Sequence, residues 1–309
     1  MLVALLHNPS SGSEDHTDRE IVKGIRQAGH EVPHVSASVR ELTAALQREP
    51  CDLILIAGGD GTVSRAACQL AGWRVPLSIL PLGTANNTAK SLSIPKRIKK
   101  LAKSWQSAER LAFDLAVLDD GVVRQRYAEA AGWGVFPSSI ERAKREGSAS
   151  TVRRTLKRNQ QLFRQVAREA QPRPYRVEVD GRDYSGDYLL VEVVNVPLIG
   201  PQLPLSPFSD PSDGSFEVVL AGCGERAALE RLASGERVDG AFVTQRGAHV
   251  RVTASEGVMH VDGRLLRHPL GGRDFEVRVE AQSIEYLGAA PQPERLTSLP
   301  GTSRACHES

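Results

Sequence analysis

Leu53-Ile54-Leu55-Ile56-Ala57 runs straight into Gly58-Gly59-Asp60-Gly61-Thr62, and this junction decides the reading of the chain. Five apolar residues with no polar face predict a strand covered on both sides, as in the centre of a parallel sheet. The glycine-rich turn that follows predicts a helix from residue 62 to about 71. Working outward, residues 2–6 form a similar apolar run that ends in the turn cluster Asn8-Pro9-Ser10-Ser11-Gly12. Ile21, Val22, Ile25 and Ala28 then recur at helical spacing, with Gly29 as a stop. A weaker strand is expected at 31–35, a short helix at 41–47 and a strand at 77–80. Helices are expected to open near Ala85 and to run over 96–103. Strands alternating with helices are the mark of βαβ units, so residues 1–113 predict an α/β domain.

Beyond about residue 114 the pattern changes. Segments 122–128, 176–180, 188–194, 216–220, 248–253, 258–261 and 275–279 alternate apolar and polar residues. Asp119-Asp120-Gly121, Asp180-Gly181 and Asp262-Gly263 are turn signals between such segments. Residues 114–280 therefore predict an antiparallel β-rich domain, interrupted by one helical stretch at 139–170. Residues 281–288 are expected to return to the first domain, and the polar, proline-rich 289–309 to form a disordered tail.

Composition narrows the function. The chain has 309 residues, 40% of them hydrophobic and 25% charged, which is ordinary for a globular protein. Lys plus Arg number 39 against 37 Asp plus Glu, so no nucleic-acid partner is expected from charge. No apolar run approaches the roughly 20 residues of a membrane-spanning helix. With no leader pattern either, a cytoplasmic protein is expected. The four cysteines lie far apart without a metal-ligand spacing, so no zinc site is expected and Cys51 and Cys68 read as small buried apolar groups.

The chemistry sits in the loops. Glycines after a strand leave room for a phosphate chain, and the helix start adds its positive end. A carboxylate placed there, Asp60, has two chemical uses: holding Mg2+ or its water shell, or accepting the proton of an attacking hydroxyl. Its plain structural use is as the N-cap of a strand-to-helix turn. The next unit repeats the design in Pro81-Leu82-Gly83-Thr84-Ala85-Asn86-Asn87. Two such loops at neighbouring carboxyl ends of a parallel sheet define a crevice for a nucleotide.

These motifs, in this order, resemble the set of the diacylglycerol kinase catalytic family, which includes bacterial soluble lipid kinases and sphingosine and ceramide kinases. Asp114, the pair Gly132 and Gly134, Asn195 with Gly200, Asp210-Pro211-Ser212-Asp213-Gly214 and Val261-Asp262-Gly263 complete the resemblance. It implies a phosphofructokinase/NAD-kinase-like α/β domain with a parallel sheet, a C-terminal antiparallel β-sandwich, and an active site between them. It implies ATP as donor, Mg2+ as cofactor and a lipid hydroxyl as acceptor. By the same resemblance Asn8, Gly58, Gly59, Asp60, Gly61, Thr62, Val63, Ser64, Thr84 and Asn86 bind the nucleotide. Asp213 lies at a Mg2+ site, helped by the backbone carbonyls of Asp210 and Ser215.

Two positions depart from the family pattern. An Asp commonly follows the Asn of the second loop, where this chain has Asn87. A Glu commonly follows Asp-Gly as general base, where this chain has Arg264, which takes no proton at neutral pH. Asp60 is then the leading proton acceptor, with Asp262 and Asp114 behind it. The alternatives are an NAD kinase-like enzyme, or a nucleotide- or lipid-binding regulator with impaired catalysis. Residues 139–170 carry nine Lys and Arg against three Glu, which fits either docking on an anionic membrane surface or a solvated helix face. The apolar loop 201–208 either edges a lipid pocket or packs under the sandwich.

Overall fold

The computed structural model describes residues 1–7, 16–147, 149–236, 238–255, 257–267 and 272–288. The motif Asn8-Pro9-Ser10-Ser11-Gly12 and the tail 289–309 lie outside the described residues. The first part of the chain follows the expected alternation: β1 (Leu2–His7), α1 (Asp18–Gln27), β2 (Glu31–Ser36), α2 (Val39–Leu46), β3 (Leu53–Gly58), α3 (Asp60–Gln69), β4 (Leu77–Pro81), α4 (Asn87–Ser91) and α5 (Ile98–Ser104). The second part opens with β5 (Glu109–Asp119), β6 (Arg124–Tyr127), β7 (Ala130–Gly134), α6 (Val135–Glu146) and α7 (Val152–Glu169). It continues with β8 (Arg173–Val179), β9 (Arg182–Asp183), β10 (Gly186–Tyr188), β11 (Leu190–Val194), β12 (Phe216–Ala221) and α8 (Arg226–Ala233). The last strands are β13 (Val243–Gly247), β14 (His249–Ala254), β15 (Val258–Val261), β16 (Arg264–Arg267) and β17 (Arg273–Gly288).

β3 lies between β1 and β4, parallel to both, and all six of its residues are buried, as its unbroken apolar run requires. β2 completes the parallel half on the far side of β1. The 16-residue β17 joins the two halves of the molecule. Its first part pairs antiparallel with β14 and β5. After a break in register that spans Gln282, at φ 48°, it rejoins β5 and meets β4 in parallel at Tyr286 and Leu77. One sheet thus runs through both domains.

A second, antiparallel sheet has the order β13-β12-β11-β7-β15-β16. One face packs Trp133, Val191, Val193 and Phe216 against Tyr175, Val177, Val250 and Phe275 of the first sheet, forming the sandwich core. Its other face is covered by helices, where Phe136 of α6 meets Phe163 of α7 at 4.8 Å between ring centroids. Under α6, the imidazole of His260 lies 3.0 Å from both oxygens of Glu192, a pair withdrawn from water. Gly132 opposite has to be glycine, because a Cβ there would come within 2.2 Å of the Glu192 carboxyl.

Several expectations need correction. The helical stretch 139–170 is two helices, broken at Gly147, whose φ of 71° an α-helix cannot contain. α3 begins at Asp60 rather than at residue 62. The strand expected at 122–128 is shorter, and β5, β7, β13, β16 and α8 were not anticipated. Cys51 and Cys68 are free thiols that are half-buried rather than buried.

Candidate active site

The register of β3 on β4 pairs Gly58 with Pro81, so the two loops leave the sheet side by side. They touch at glycine: a Cβ on Gly83 would lie 2.5 Å from the Gly59 Cα, and one on Gly59 would lie 3.0 Å from the Gly83 Cα. None of Gly58, Gly59, Gly61 and Gly83 has a positive φ. What requires glycine at 59 and 83 is the crossing of two backbones, and Gly58 is held by Thr62, whose side chain would sit 2.7 Å from a Cβ. The room left for a phosphate is therefore shared with a structural need.

Asp60 opens α3 and points across this crossing to the start of α4. Its Oδ2 accepts the Asn86 N–H at 2.7 Å, and the N–H groups of Asn87 and Thr88 also reach its carboxylate. The Asn86 side chain closes the loop on itself, with Oδ1 accepting from Gly83 N at 2.9 Å and Nδ2 donating to Gly83 O at 2.7 Å. Asn86 holds φ 54° to do so. Thr84 lines a small cavity with His16, Lys96, Val152 and Gln202. Val63 is buried in the core and Ser64 donates its hydroxyl to Asp262, so neither is free to hold a phosphate.

Asp262 sits in the turn between β15 and β16 at φ 47°, followed by Gly263 at 71°, the conformation the Asp-Gly signal predicts. Its Oδ1 accepts from Glu129 N at 2.8 Å and Ala130 N at 3.2 Å, and its Oδ2 accepts from Ala128 N at 2.9 Å and from the Ser64 hydroxyl. Four donors meet the carboxylate, three from its own domain and one, the Ser64 hydroxyl, from the first, while its half-exposed side also lines the cleft between the domains. Asp114 is withdrawn, wholly buried and accepting the N–H groups of Gly214 at 2.7 Å and Gln282 at 2.6 Å.

The sequence reading missed Glu129. It is buried, its Oε1 accepts the Thr88 hydroxyl at 2.7 Å, and its carboxyl shares a hydrogen bond with Asp60. Burial, followed by the charges of Asp60 and Asp262, pushes the Glu129 carboxyl well above the usual carboxylate range. Burial also raises Asp60, while hydrogen bonds from Glu129 and the three N–H groups pull it back. The available signal was a lone Glu in the apolar run Tyr127-Ala128-Glu129-Ala130-Ala131. A buried carboxyl in such a run must be paired or neutral. Lys90 of α4 is a second omission: burial, with Lys96 beside it, pulls its ammonium down to about 8.

Beside Asp262 and Ser64 a cleft of about 530 Å³ opens between the domains, lined by Gly61, Arg65, Arg126, Lys144 and Arg264 among others. Arg264 donates to Gln125, so a guanidinium occupies the position after Asp-Gly. Asp210, Asp213 and Ser215 lie elsewhere. Asp213 pairs with Arg246 and accepts from Ser215 N at 2.9 Å, and Asp210 accepts from Ser212 N at 3.0 Å. Among the described residues no group of three His, Cys, Asp or Glu is placed to hold a metal ion. The Asp213 carboxylate is thus turned to a half-exposed guanidinium, and the expected Mg2+ site, one carboxylate with the backbone carbonyls of Asp210 and Ser215, is not of that three-side-chain kind. Of the loop 201–208, Leu203 and Leu205 are buried and Phe208 is exposed. No helix among the described residues is long and apolar enough to cross a membrane.

Comparison with known proteins gives this geometry a family. The diacylglycerol kinase catalytic domain matches residues 2–118, and the YegS C-terminal NAD kinase beta sandwich-like domain matches residues 142–284. A "Diacylglycerol kinase" of Mycobacterium tuberculosis is 28% identical over 235 residues, covering 72% of this chain and 71% of that protein. A "Probable lipid kinase YegS-like" protein of Pectobacterium atrosepticum is 30% identical over 239 residues, covering 72% of this chain and 74% of its own length. The crystal structure of a diacylglycerol kinase from Bacillus anthracis superposes with a TM-score of 0.71 at 18% identity, covering 93% of this chain and 96% of that one. With an α/β domain, an antiparallel sandwich and paired loops between them, the chain belongs to the diacylglycerol kinase catalytic-domain family of lipid kinases.

Proposed function

We propose that this chain transfers the γ-phosphoryl group of ATP to the hydroxyl of a lipid of the diacylglycerol type. The observation that carries the reading is Asp60, a carboxylate fixed where the two glycine loops cross and where the two domains meet. In this reading the 58–62 loop and Thr84 hold the triphosphate, and Asp60 orients the lipid hydroxyl for in-line attack. The lipid oxygen bonds to the γ-phosphorus, the bond to ADP breaks, and the hydroxyl proton passes to Asp60. Arg65, Lys144 and Arg264 line the adjacent cleft and offer positive charge to the transferring group. Mg2+ belongs to the proposal as the counter-ion of ATP, with no residue of the 210–215 loop assigned to it.

The acceptor side rests on charge. In α7, Arg153, Arg154 and Lys157 are exposed next to exposed Val152, and the basic residues farther along the helix, Arg164 and Arg168, pair with Glu230. The first turn of α7 is therefore the proposed contact with an anionic membrane surface, on the cytoplasmic side. Arg264 supports the second reading, a regulator that binds nucleotide or lipid without turnover. The test is ATP turnover with Mg2+ on vesicles of total membrane lipid, with products identified by mass. A phosphorylated lipid, lost in Asp60→Asn while the melting temperature holds, is expected. Unchanged turnover in that variant removes Asp60 from the reaction, and ATP binding without a phosphorylated lipid favours the regulator.

A further inference from the structure

Asp60 belongs to α3 of the first domain, and Glu129 to the segment between β6 and β7 of the second. Asp60 takes the Asn86 N–H and Glu129 the Thr88 hydroxyl at the same start of α4, so the two carboxyls lie close together, an approach that two ionised groups resist. A single proton held by the pair relieves that repulsion. Its place follows from the donors on each side. Asp60 receives N–H groups of Asn86, Asn87 and Thr88, all of which favour the anion. Glu129 receives only the Thr88 hydroxyl at Oε1, is buried, and faces two carboxylates, Asp60 and Asp262.

We propose that Glu129 is a positioning residue, whose protonated carboxyl donates its hydrogen bond to Asp60 and holds that group ionised and aimed. The proposal rests on the reading of Asp60 as the acceptor of the lipid proton, and adds what sets its charge and direction. Because Glu129 comes from the second domain, the acceptor is complete only when the two domains are closed on each other. When Asp60 takes the lipid proton the pair holds two, and the second is given up to water after the transfer. Asp60 and Asp262 are the charges that bear on Glu129. Thr88 of α4 is its hydroxyl donor, Tyr286 of β17 lies within its field, and Lys90 of α4 bears on Asp60.

Glu129→Gln is the informative variant, since its amide keeps both a donor for Asp60 and an acceptor for Thr88 but cannot titrate. The first readout needs no substrate: infrared spectra of the full chain at neutral pH. The wild-type spectrum minus that of Glu129→Gln is expected to show the carbonyl band of a protonated carboxylic acid, the band of any other buried acid, such as Glu192, cancelling. A difference spectrum without that band overturns the assignment. The second readout is the pH profile of kcat. Glu129→Ala is expected to lower kcat about 10²-fold, the scale of a misaimed catalytic group, and Glu129→Gln less. Both variants lose the alkaline limb, because nothing remains there to ionise, and Gln alone keeps most of kcat; equal losses of kcat in Gln and Ala, or a limb that stays in Gln, refute the proposal. If Glu129→Gln does not fold, Thr88→Val should shift the acid band, and an unshifted band also refutes it. An acid band without lipid phosphorylation counts against the proposed function instead.

Discussion

Asp262 and Asp180 occupy the same turn position in two β-hairpins, and their difference in surroundings makes a sharp prediction. Both sit in the left-handed region at φ 47° ahead of a glycine, and both accept backbone N–H groups. Asp180 accepts from Ala248 at 3.2 Å and His249 at 2.9 Å on an exposed edge, where water replaces it. Asp262 accepts three N–H groups, from Ala128, Glu129 and Ala130, all of them on buried residues. Asp262→Ala leaves those donors without a partner, at about 1–3 kcal/mol each. Cleft water reaches the turn, so the low end applies and the total is about 3 kcal/mol. With a slope of about 3 kcal/mol per molar urea, the unfolding midpoint should fall by about 1 M. Asp180→Ala should cost about 1 kcal/mol or less by the same rule. Urea unfolding of the two variants against wild type is the assay. If Asp262→Ala is no more damaging than Asp180→Ala, the hold of Asp262 on the buried 128–130 backbone carries no stability. A variant of unchanged stability that loses kcat would return Asp262 to the chemistry.

Two further expectations follow from charge. The Lys90 ammonium is disfavoured in the folded chain, with its pKa lowered from 10.5 to about 8. The unfolded chain therefore binds more protons between about 8 and 10.5, so the burden is full below that window and fades across it. Lys90→Met should raise the melting temperature most at neutral pH, with the gain shrinking as pH rises toward 10.5; a gain that grows with pH contradicts the assignment. Replacing Arg153, Arg154 and Lys157 together by Gln should weaken sedimentation with anionic vesicles by about two decades, from about 1 kcal/mol per basic residue. The wild type should lose the same binding in high salt, and a variant that binds as well as wild type places the membrane contact elsewhere.

The parts of the fold that could be read from sequence are those where one residue pattern permits one arrangement. Residues 53–57 have no polar face, so only a strand covered on both sides suits them, and β3 is that strand. Asp180-Gly181 and Asp262-Gly263 both adopt the turn their residue types favour. The break at Gly147 was visible as a glycine inside a helical pattern, but the flanking charges kept a helical spacing across it. β5 was hidden because its middle, residues 113–116, is buried without a break between β17 and β6, which erases the alternation that marks a half-exposed strand. β17 was read over 275–279, whereas its sixteen residues serve two sheet halves through a kink at Gln282.

The candidate site divides the same way. The sequence alone determined the two glycine loops, their attachment to adjacent strands and the presence of Asp60, since local patterning sets strand, turn and helix start. Tertiary structure alone decided what each acid does. Asp262 and Asp114 are filled by backbone donors far away in the chain, and Asp213 by Arg246. Glu129 meets Asp60 only because the second domain folds back over the first. A carboxyl's role depends on its desolvation and on which donors and charges surround it, and those come from residues that the chain brings near only when it folds.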